Sequence, residues 1–195
     1  MYRIISGVWK GKKISAPKNF EVRPTTDFAK EALFSILEHR LDLSSLSVLD
    51  LFAGIGSITL ELASRGCKDI TSVEMNAKHA GFINSTAKDL DFSSQINILR
   101  ANVFDWLKKA KNQGKSFDLV FADPPFDLPE NDYQELISLV LSEGILKENG
   151  CFVLEHQSRH KIEHPDLQET RKYGNVSFSF FTKSENPQRD RKSVV

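Results

Sequence analysis

Val48-Leu49-Asp50-Leu51-Phe52-Ala53-Gly54-Ile55-Gly56 decides the fold of this chain. An apolar run of strand length ends in a glycine-rich turn, and Ser57–Ser64 after it reads as a helix. Glycines in such a turn tolerate positive φ and let backbone approach a ligand closely. The pattern is an incomplete dinucleotide fingerprint, because the third glycine position is Thr59. An acid, Asp50, also sits inside the turn. A carboxylate there repels a pyrophosphate and attracts an ammonium group, such as the one on the methionine moiety of S-adenosylmethionine. The turn therefore suits S-adenosylmethionine better than NAD. Phe52, Ala53, Gly54 and Gly56 join Asp50 as candidate cofactor-binding residues.

Outward from this turn the chain alternates strand and helix. Ser47–Leu51, Ile70–Glu74, Ile96–Arg100, Phe117–Ala122 and Cys151–Glu155 read as strands. Ser57–Ser64, Ala77–Asp89, Phe104–Lys111 and Tyr133–Leu141 read as helices between them. Strands this apolar, separated by helices, argue for an α/β fold with a mostly parallel central sheet covered on both faces. Ligands of such sheets bind beyond the carboxyl ends of the strands. The chain closes differently, with an antiparallel hairpin of Glu169–Tyr173 and Val176–Thr182 across Gly174-Asn175. It opens with a small β-hairpin, Arg3–Trp9 and Lys13–Ala16 around Lys10-Gly11. A helix is expected after Pro24, capped by Thr25 or Thr26, with Phe28, Ala32, Leu33, Ile36 and Leu37 as its apolar stripe. Three segments follow: a basic hairpin extension over 1–24, an α/β domain over 25–183, and a polar tail over 184–195 that is expected to be disordered.

Two more strand ends carry candidates for the cofactor. Glu74 closes the second strand, where an acid accepts both hydroxyls of a ribose; alone, it reads equally well as a solvated strand end. Met75 beside it would lie against an adenine. Asn102 follows the third strand, and its amide with the Val103 backbone would bond the adenine edge. The same Asn102 also reads as the N-cap of the next helix, and the two roles are compatible.

Asp123-Pro124-Pro125-Phe126 follows the fourth strand. In isolation it is a turn sequence. At a strand's carboxyl end, after a cofactor turn, it reads as a catalytic motif. Two prolines fix an extended backbone and remove two N–H donors. The Asp123 carboxylate and the Pro124 carbonyl then form a pair of acceptors suited to a planar NH2 group. Such a nitrogen is a poor nucleophile, because its lone pair is delocalised into the base. Holding both hydrogens in acceptors favours a pyramidal nitrogen, and positioning supplies most of the acceleration. Phe126 offers a ring on which the target base stacks, worth roughly 1–3 kcal/mol. A base within a helix must first swing out.

The rest of the sequence bounds these readings. With 195 residues, 40% hydrophobic and 27% charged, the chain has the composition of an ordinary globular protein. Neither a membrane-spanning run nor a signal peptide is apparent, which makes the cytoplasm the expected compartment. Cys67 and Cys151 form no CxxC pair and the five histidines are scattered, so no metal site is expected and both thiols read as reduced and buried. Net charge is zero, yet Arg3, Lys10, Lys12, Lys13, Lys18 and Arg23 face a single acid, Glu21, within the first 23 residues. Such an arm suggests a local anionic partner. A second basic run, Lys108, Lys109, Lys111 and Lys115, reads as a solvated surface.

These motifs together resemble the RsmD-type family of bacterial methyltransferases, which modify guanine N2 of small-subunit (16S) ribosomal RNA. The resemblance covers Arg3 to about Thr182. It is carried by Arg3-Ile4-Ile5-Ser6-Gly7, Trp9-Lys10-Gly11-Lys12-Lys13-Ile14, Arg23-Pro24-Thr25-Thr26-Asp27, Glu31-Ala32-Leu33-Phe34, the Asp50–Gly56 turn and Asp123–Phe126. The last two motifs occur in many amino-methyltransferases; the N-terminal blocks are particular to this family. The resemblance implies a Rossmann-like class I methyltransferase fold and a hairpin that helps hold RNA. Arg3, Lys10, Lys12, Lys13 and Arg23 are then RNA-binding candidates, and the Arg23-Pro24-Thr25 segment closes over the methionine end, which brings Thr25 to the cofactor. The family often has an acid at Asn102 and usually tyrosine at Phe126. An altered cofactor affinity is expected, not a dead enzyme.

Two further readings compete. One is an amino-methyltransferase acting on DNA adenine or protein glutamine, which the N-terminal blocks oppose. The other is a non-catalytic RNA-binding assembly module, which an intact Asp50, Glu74 and Asp123 oppose. Expected partners are ribosomal RNA, within a small subunit or an assembly intermediate, and no membrane; nothing demands more than a monomer.

Overall fold

The computed structural model describes residues 1–17, 20, 26–110, 112–142 and 144–183. Its centre is a seven-stranded sheet. In chain order the strands are β3 (Ser47–Leu51), β4 (Asp69–Glu74), β5 (Ile96–Arg100), β6 (Phe117–Ala122), β7 (Leu146–Gln157), β8 (Leu167–Tyr173) and β9 (Val176–Thr182). In space they run β5-β4-β3-β6-β7-β9-β8. The first five are parallel, and β9 inserts antiparallel between β7 and β8. The chain starts in the middle, builds outward to β5 and then returns to the other side of β3. Strand order thus reverses between β3 and β6, where a crevice opens beyond the strand ends.

Period-2 alternation assigns the two faces. Val48, Ile70, Leu119, Phe121 and Val153 share one core with α1 (Asp27–Arg40), α2 (Ser57–Ser64) and the end of α3 (Ala77–Asp89). Leu49, Leu51, Val73, Val120, Ala122, Phe152 and Leu154 share the other with α4 (Val103–Ala110) and α5 (Glu130–Leu141). Phe178, Phe180 and Phe181 of β9 are almost wholly buried, and each such ring stabilises by roughly 1.5–3 kcal/mol.

The helices start where their caps allow. The Thr26 hydroxyl accepts from Ala29 N at 3.2 Å at the head of α1, and Asn76 accepts from Lys78 N and His79 N at the head of α3. Helix α5 begins at Glu130, three residues before the expected Tyr133, because Glu130 and Asp132 suit a helix N-terminus while adding no apolar signal. Strand β7 begins at Leu146, ahead of the expected Cys151; its polar residues 147–150 bulge from the ladder, with Asn149 at φ 59° and a register shift against β6.

Three expectations need correction. The apolar stripe of α1 is Ala29, Leu33, Phe34 and Leu37 with a buried Lys30, while Phe28 is 70% exposed and meets only the edge of Tyr173. The N-terminal hairpin pairs only β1 (Tyr2–Arg3) with β2 (Lys13–Ile14). Ile4 still bonds Gly11 and Lys12 across the hairpin, but residues 5–9 leave the ladder and turn N–H groups toward α2. Ile5 N and Ser6 N donate to the Glu61 carboxylate, Val8 N to Ser64 O and Trp9 N to Ser64 Oγ. Gly7, at φ 84°, lies so close to the Ser64 carbonyl that a Cβ there would overlap it. Lastly, Cys67 is buried but Cys151 only half-buried; burial pushes both thiols up to about 11, so both stay protonated at neutral pH. The expected tail over 184–195 lies outside the described residues.

Candidate active site

The carboxyl ends of β3, β4, β6 and β7 and the loop after β5 open into one cavity of about 530 Å³. Along one strand face the register brings together Asp50, Glu74, Asp123 and Glu155, all of which line it. Of the residues expected to bind a cofactor, Asp50, Phe52, Ala53, Gly54, Glu74, Met75, Asn102 and Val103 line the cavity. Asp123, Pro124, Pro125 and Phe126 line it as well. Gly56 does not. It stands at the head of α2 with φ 81°, and a Cβ there would press Ile83 at 3.0 Å. Arg23 and Thr25 lie outside the described residues, while Thr26 beside them lines the cavity.

Asp50 is not inside the turn; it is the penultimate residue of β3, 1% exposed. The Thr59 hydroxyl donates to its Oδ2 at 2.5 Å and shares a second bond with Ser72 Oγ at 2.7 Å. The residue that breaks the dinucleotide fingerprint is thus the one that anchors the acid. Burial pushes the Asp50 carboxyl up to about 7, assisted by the Glu74 charge and opposed by the Thr59 bond. A folded-state value above the unfolded one means the native protein holds the proton longer. Stability without ligand is therefore expected to fall as pH rises from about 4 through about 7. Asp50→Asn should flatten that slope in urea titrations at several pH values; an unchanged slope would place its origin elsewhere.

Glu74 is held by two backbone donors, Gly54 N at 2.8 Å and Asn76 N at 2.7 Å. A carboxylate has about four lone-pair sites, so acceptor capacity remains on both oxygens. Gly54 at φ 55° turns its N–H toward this acid. Phe52 adopts φ 59°, a conformation costing on the order of 1–3 kcal/mol in a residue with a side chain. Ala53 N, bonded to Val73 O at 3.1 Å, holds the strained turn against β4. Asn102 caps α4, its Oδ1 accepting from Asp105 N at 3.2 Å, and its Nδ2 lies 4.0 Å from Met75 Sδ. Met75 is 64% exposed at the cavity rim. Two acids, one near the end of β3 and one at the end of β4, with an exposed thioether and an amide, could hold S-adenosylmethionine, which carries an ammonium, ribose hydroxyls and an adenine.

Asp123 continues the β6 ladder, its N–H donating to Leu51 O at 3.3 Å. Pro124 is buried, Pro125 exposed and Phe126 half-buried. No peptide bond among the described residues is cis, so the two prolines extend the chain from the strand end. Sequence reading passed over Glu155, 2% exposed at the cavity floor, and Phe121, His79 and Ser57 on its walls. Glu155 carried a usable signal: like Glu74, it is an acid closing an apolar strand.

Among the described residues the basic arm keeps its charges on the surface. Lys10, Lys12 and Lys13 are exposed, with the Lys12 ammonium 5.7 Å from the Trp9 ring centre. Arg3 pairs with Asp27 at 3.2 Å. In the second basic run Lys108 pairs with Glu135 and Lys115 bonds Thr71. Among the described residues no cluster could hold a metal ion, and no helix is long and apolar enough to cross a membrane.

The sheet order and the cavity at its switch point are those of a class I S-adenosylmethionine-dependent methyltransferase, and the chain is an enzyme of that class. Residues 2–182 match the family described as Conserved hypothetical protein 95, and the chain belongs to that RsmD-type family. It is 33% identical over 183 residues to Ribosomal RNA small subunit methyltransferase D of Haemophilus influenzae, covering 92% of each chain. A solved hypothetical protein of Thermus thermophilus superposes with a TM-score of 0.79 at 26% identity, covering 93% of this chain and 99% of that one. An RNA methyltransferase of Salinibacter ruber, solved with S-adenosyl-L-homocysteine, shares the fold at a TM-score of 0.64 and 14% identity, covering 85% and 97% of the two chains.

Proposed function

We propose that this protein methylates the exocyclic N2 of a guanine in small-subunit (16S) ribosomal RNA. The observation that carries it is the joint placement of Asp123-Pro124-Pro125-Phe126 and the Asp50/Glu74 pair in one cavity, in a chain 33% identical to a small-subunit methyltransferase. When bound, S-adenosylmethionine supplies an electrophilic methyl group. Asp50 would hold its ammonium, Glu74 its ribose, and Met75, Asn102 and Val103 its adenine. The Asp123 carboxylate and Pro124 carbonyl accept the two amino hydrogens and hold the nitrogen pyramidal. The nitrogen gains a methyl and loses one proton, for which Asp123 is the acceptor. Phe126 stacks on the flipped base.

Because Asp50 is protonated below about pH 7 in the free protein, binding an ammonium there expels a proton. Affinity for S-adenosylmethionine is expected to rise with pH up to about 7 and then level off, read by calorimetry in two buffers of different ionisation enthalpy. A flat profile without proton release would remove Asp50 from the ammonium.

The exposed Lys10, Lys12 and Lys13 would grip phosphates of RNA that runs beyond the site, because Trp9 beside them is bonded to Ser64 and Leu90 at the far ends of α2 and α3. Replacing all three by glutamine should weaken RNA binding and reduce its log–log salt slope by roughly 0.7 per lost single-strand contact. An unchanged slope would move the RNA surface elsewhere. We take the substrate to be RNA within a small subunit or an assembly intermediate, and the enzyme to act as a monomer in the cytoplasm. The deciding experiment is transfer of labelled methyl to naked RNA and to subunits from a strain lacking this protein, with the product mapped to nucleotide and atom. Methylation of adenine or of protein instead would overturn the proposal.

A further inference from the structure

Glu155 is a buried acid with no part in the chemistry described so far. It closes β7 with 2% of its surface exposed, yet it lines the same cavity as the catalytic motif. Its position follows from register. The last pairs between β6 and β7 are Phe121 with Val153 and Ala122 with Leu154. Continuing that register one step past the end of β6 places position 123 opposite position 155, on the face that carries Phe121 and Val153, and both acids line the cavity. Neighbouring strands lie about 4.8 Å apart, so a continued register would bring two carboxylates of one cavity close together. Phe121 and Val176 line the cavity around them and supply apolar walls.

Two adjacent acceptors match two adjacent donors. Guanine presents N2–H2 next to N1–H on its Watson–Crick edge. Adenine and cytosine present an amino group next to an unprotonated ring nitrogen, which is an acceptor. A carboxylate facing that nitrogen meets lone pair with lone pair. We infer that Glu155 accepts the N1–H of the target guanine while Asp123 holds its N2 amino group, and that Glu155 thereby selects guanine over bases with an acceptor at that position. A carboxylate has acceptor sites enough to serve this N–H together with another partner. The inference rests on the guanine-N2 reading above and adds the residue that makes it specific for that base.

Its test uses 2-aminopurine, which keeps the N2 amino group and replaces N1–H by an acceptor. Once the methylated guanine is mapped, subunits are reconstituted with RNA carrying guanine or 2-aminopurine at that nucleotide. Native protein should prefer guanine by at least ~10³ in kcat/KM, since a site built for a substrate N–H strongly rejects an analogue lacking it. In Glu155→Gln the amide can accept from N1–H or donate to N1, and the preference should collapse to roughly tenfold or less. Glu155→Ala should lose the preference too. Both variants should bind S-adenosylhomocysteine within about threefold of native protein by calorimetry, which shows that the cofactor half stays folded. If Glu155 is only structural, both substrates slow equally and the ratio is unchanged, which overturns the inference and leaves the guanine-N2 reading standing. Native protein that methylates both bases equally also overturns it. Native protein that methylates no guanine ends both readings together.

Discussion

Asp123→Ala lowers methyl transfer on the order of 10²–10³-fold, the scale set by removing one preorganised polar group from a water-poor site. The residue continues β6 through the bond from its N–H to Leu51 O, and alanine retains that backbone bond. The strand end and the two prolines therefore keep their course, and the loss falls on the side-chain acceptor alone. Half of the amino nitrogen's hydrogen-bond support disappears, and so does the acceptor for its departing proton. Because Asp50, Glu74 and the Gly54 turn are untouched, affinity for S-adenosylhomocysteine should change by less than about tenfold. The measurement pairs single-turnover rates on subunits with calorimetry of the product cofactor. A variant with native turnover would remove Asp123 from the chemistry. One with lost cofactor binding and a normal chemical rate would reassign it to the cofactor.

Glu61→Ala should have the largest effect on stability. Glu61 and Lys30 are an ion pair at 3.3 Å, with neither side chain exposed. Burial lowers the Lys30 ammonium and the Glu61 charge opposes that shift. Lys30 also donates to Arg3 O at 2.6 Å and to Ser57 Oγ at 3.3 Å. Glu61 accepts from Ile5 N, Ser6 N and Arg65. Removing one partner of a buried pair leaves an uncompensated charge and costs about 3–5 kcal/mol. Two arm N–H groups lose their acceptor as well. For a chain of this length the midpoint of thermal unfolding should fall on the order of 10 °C. Changing Lys30 and Glu61 together to methionine should recover much of the loss, since no lone charge remains. A single-variant shift under about 3 °C would show that the network carries little stability.

The Glu61 network also shows where sequence reading stopped. The parallel sheet was legible because β3, β4, β5 and β6 are short apolar runs with glycine, acid or asparagine at their ends, and their limits follow from local pattern. Strand β7 was legible only over Cys151–Glu155, since residues 147–150 are polar and bulge from the ladder against β6. The N-terminal arm read as a regular hairpin because Lys10-Gly11 makes a turn signal between two short segments. Its N–H groups instead go to Glu61 and Ser64, some 55 residues away, and no local rule anticipates partners at that separation. The buried pair of Lys30 and Glu61 joins helices 31 residues apart in sequence and is equally non-local.

The active-site motifs were local and therefore readable. Glycine at φ 55° in Gly54, an acid at the end of β4 and a proline pair after β6 each have a backbone cause that a few residues reveal. Their grouping was not local. Asp50, Glu74, Asp123 and Glu155 meet because parallel pairing of β4, β3, β6 and β7 sets their registers, and that pairing exists only once the sheet is assembled. By itself the sequence determined most of the central elements and the class of chemistry. Only the tertiary structure decided that Thr59 clamps Asp50, that the arm is stitched to α2, and that Glu155 lines one cavity with Asp123, since each depends on residues brought together by burying two apolar faces of one sheet.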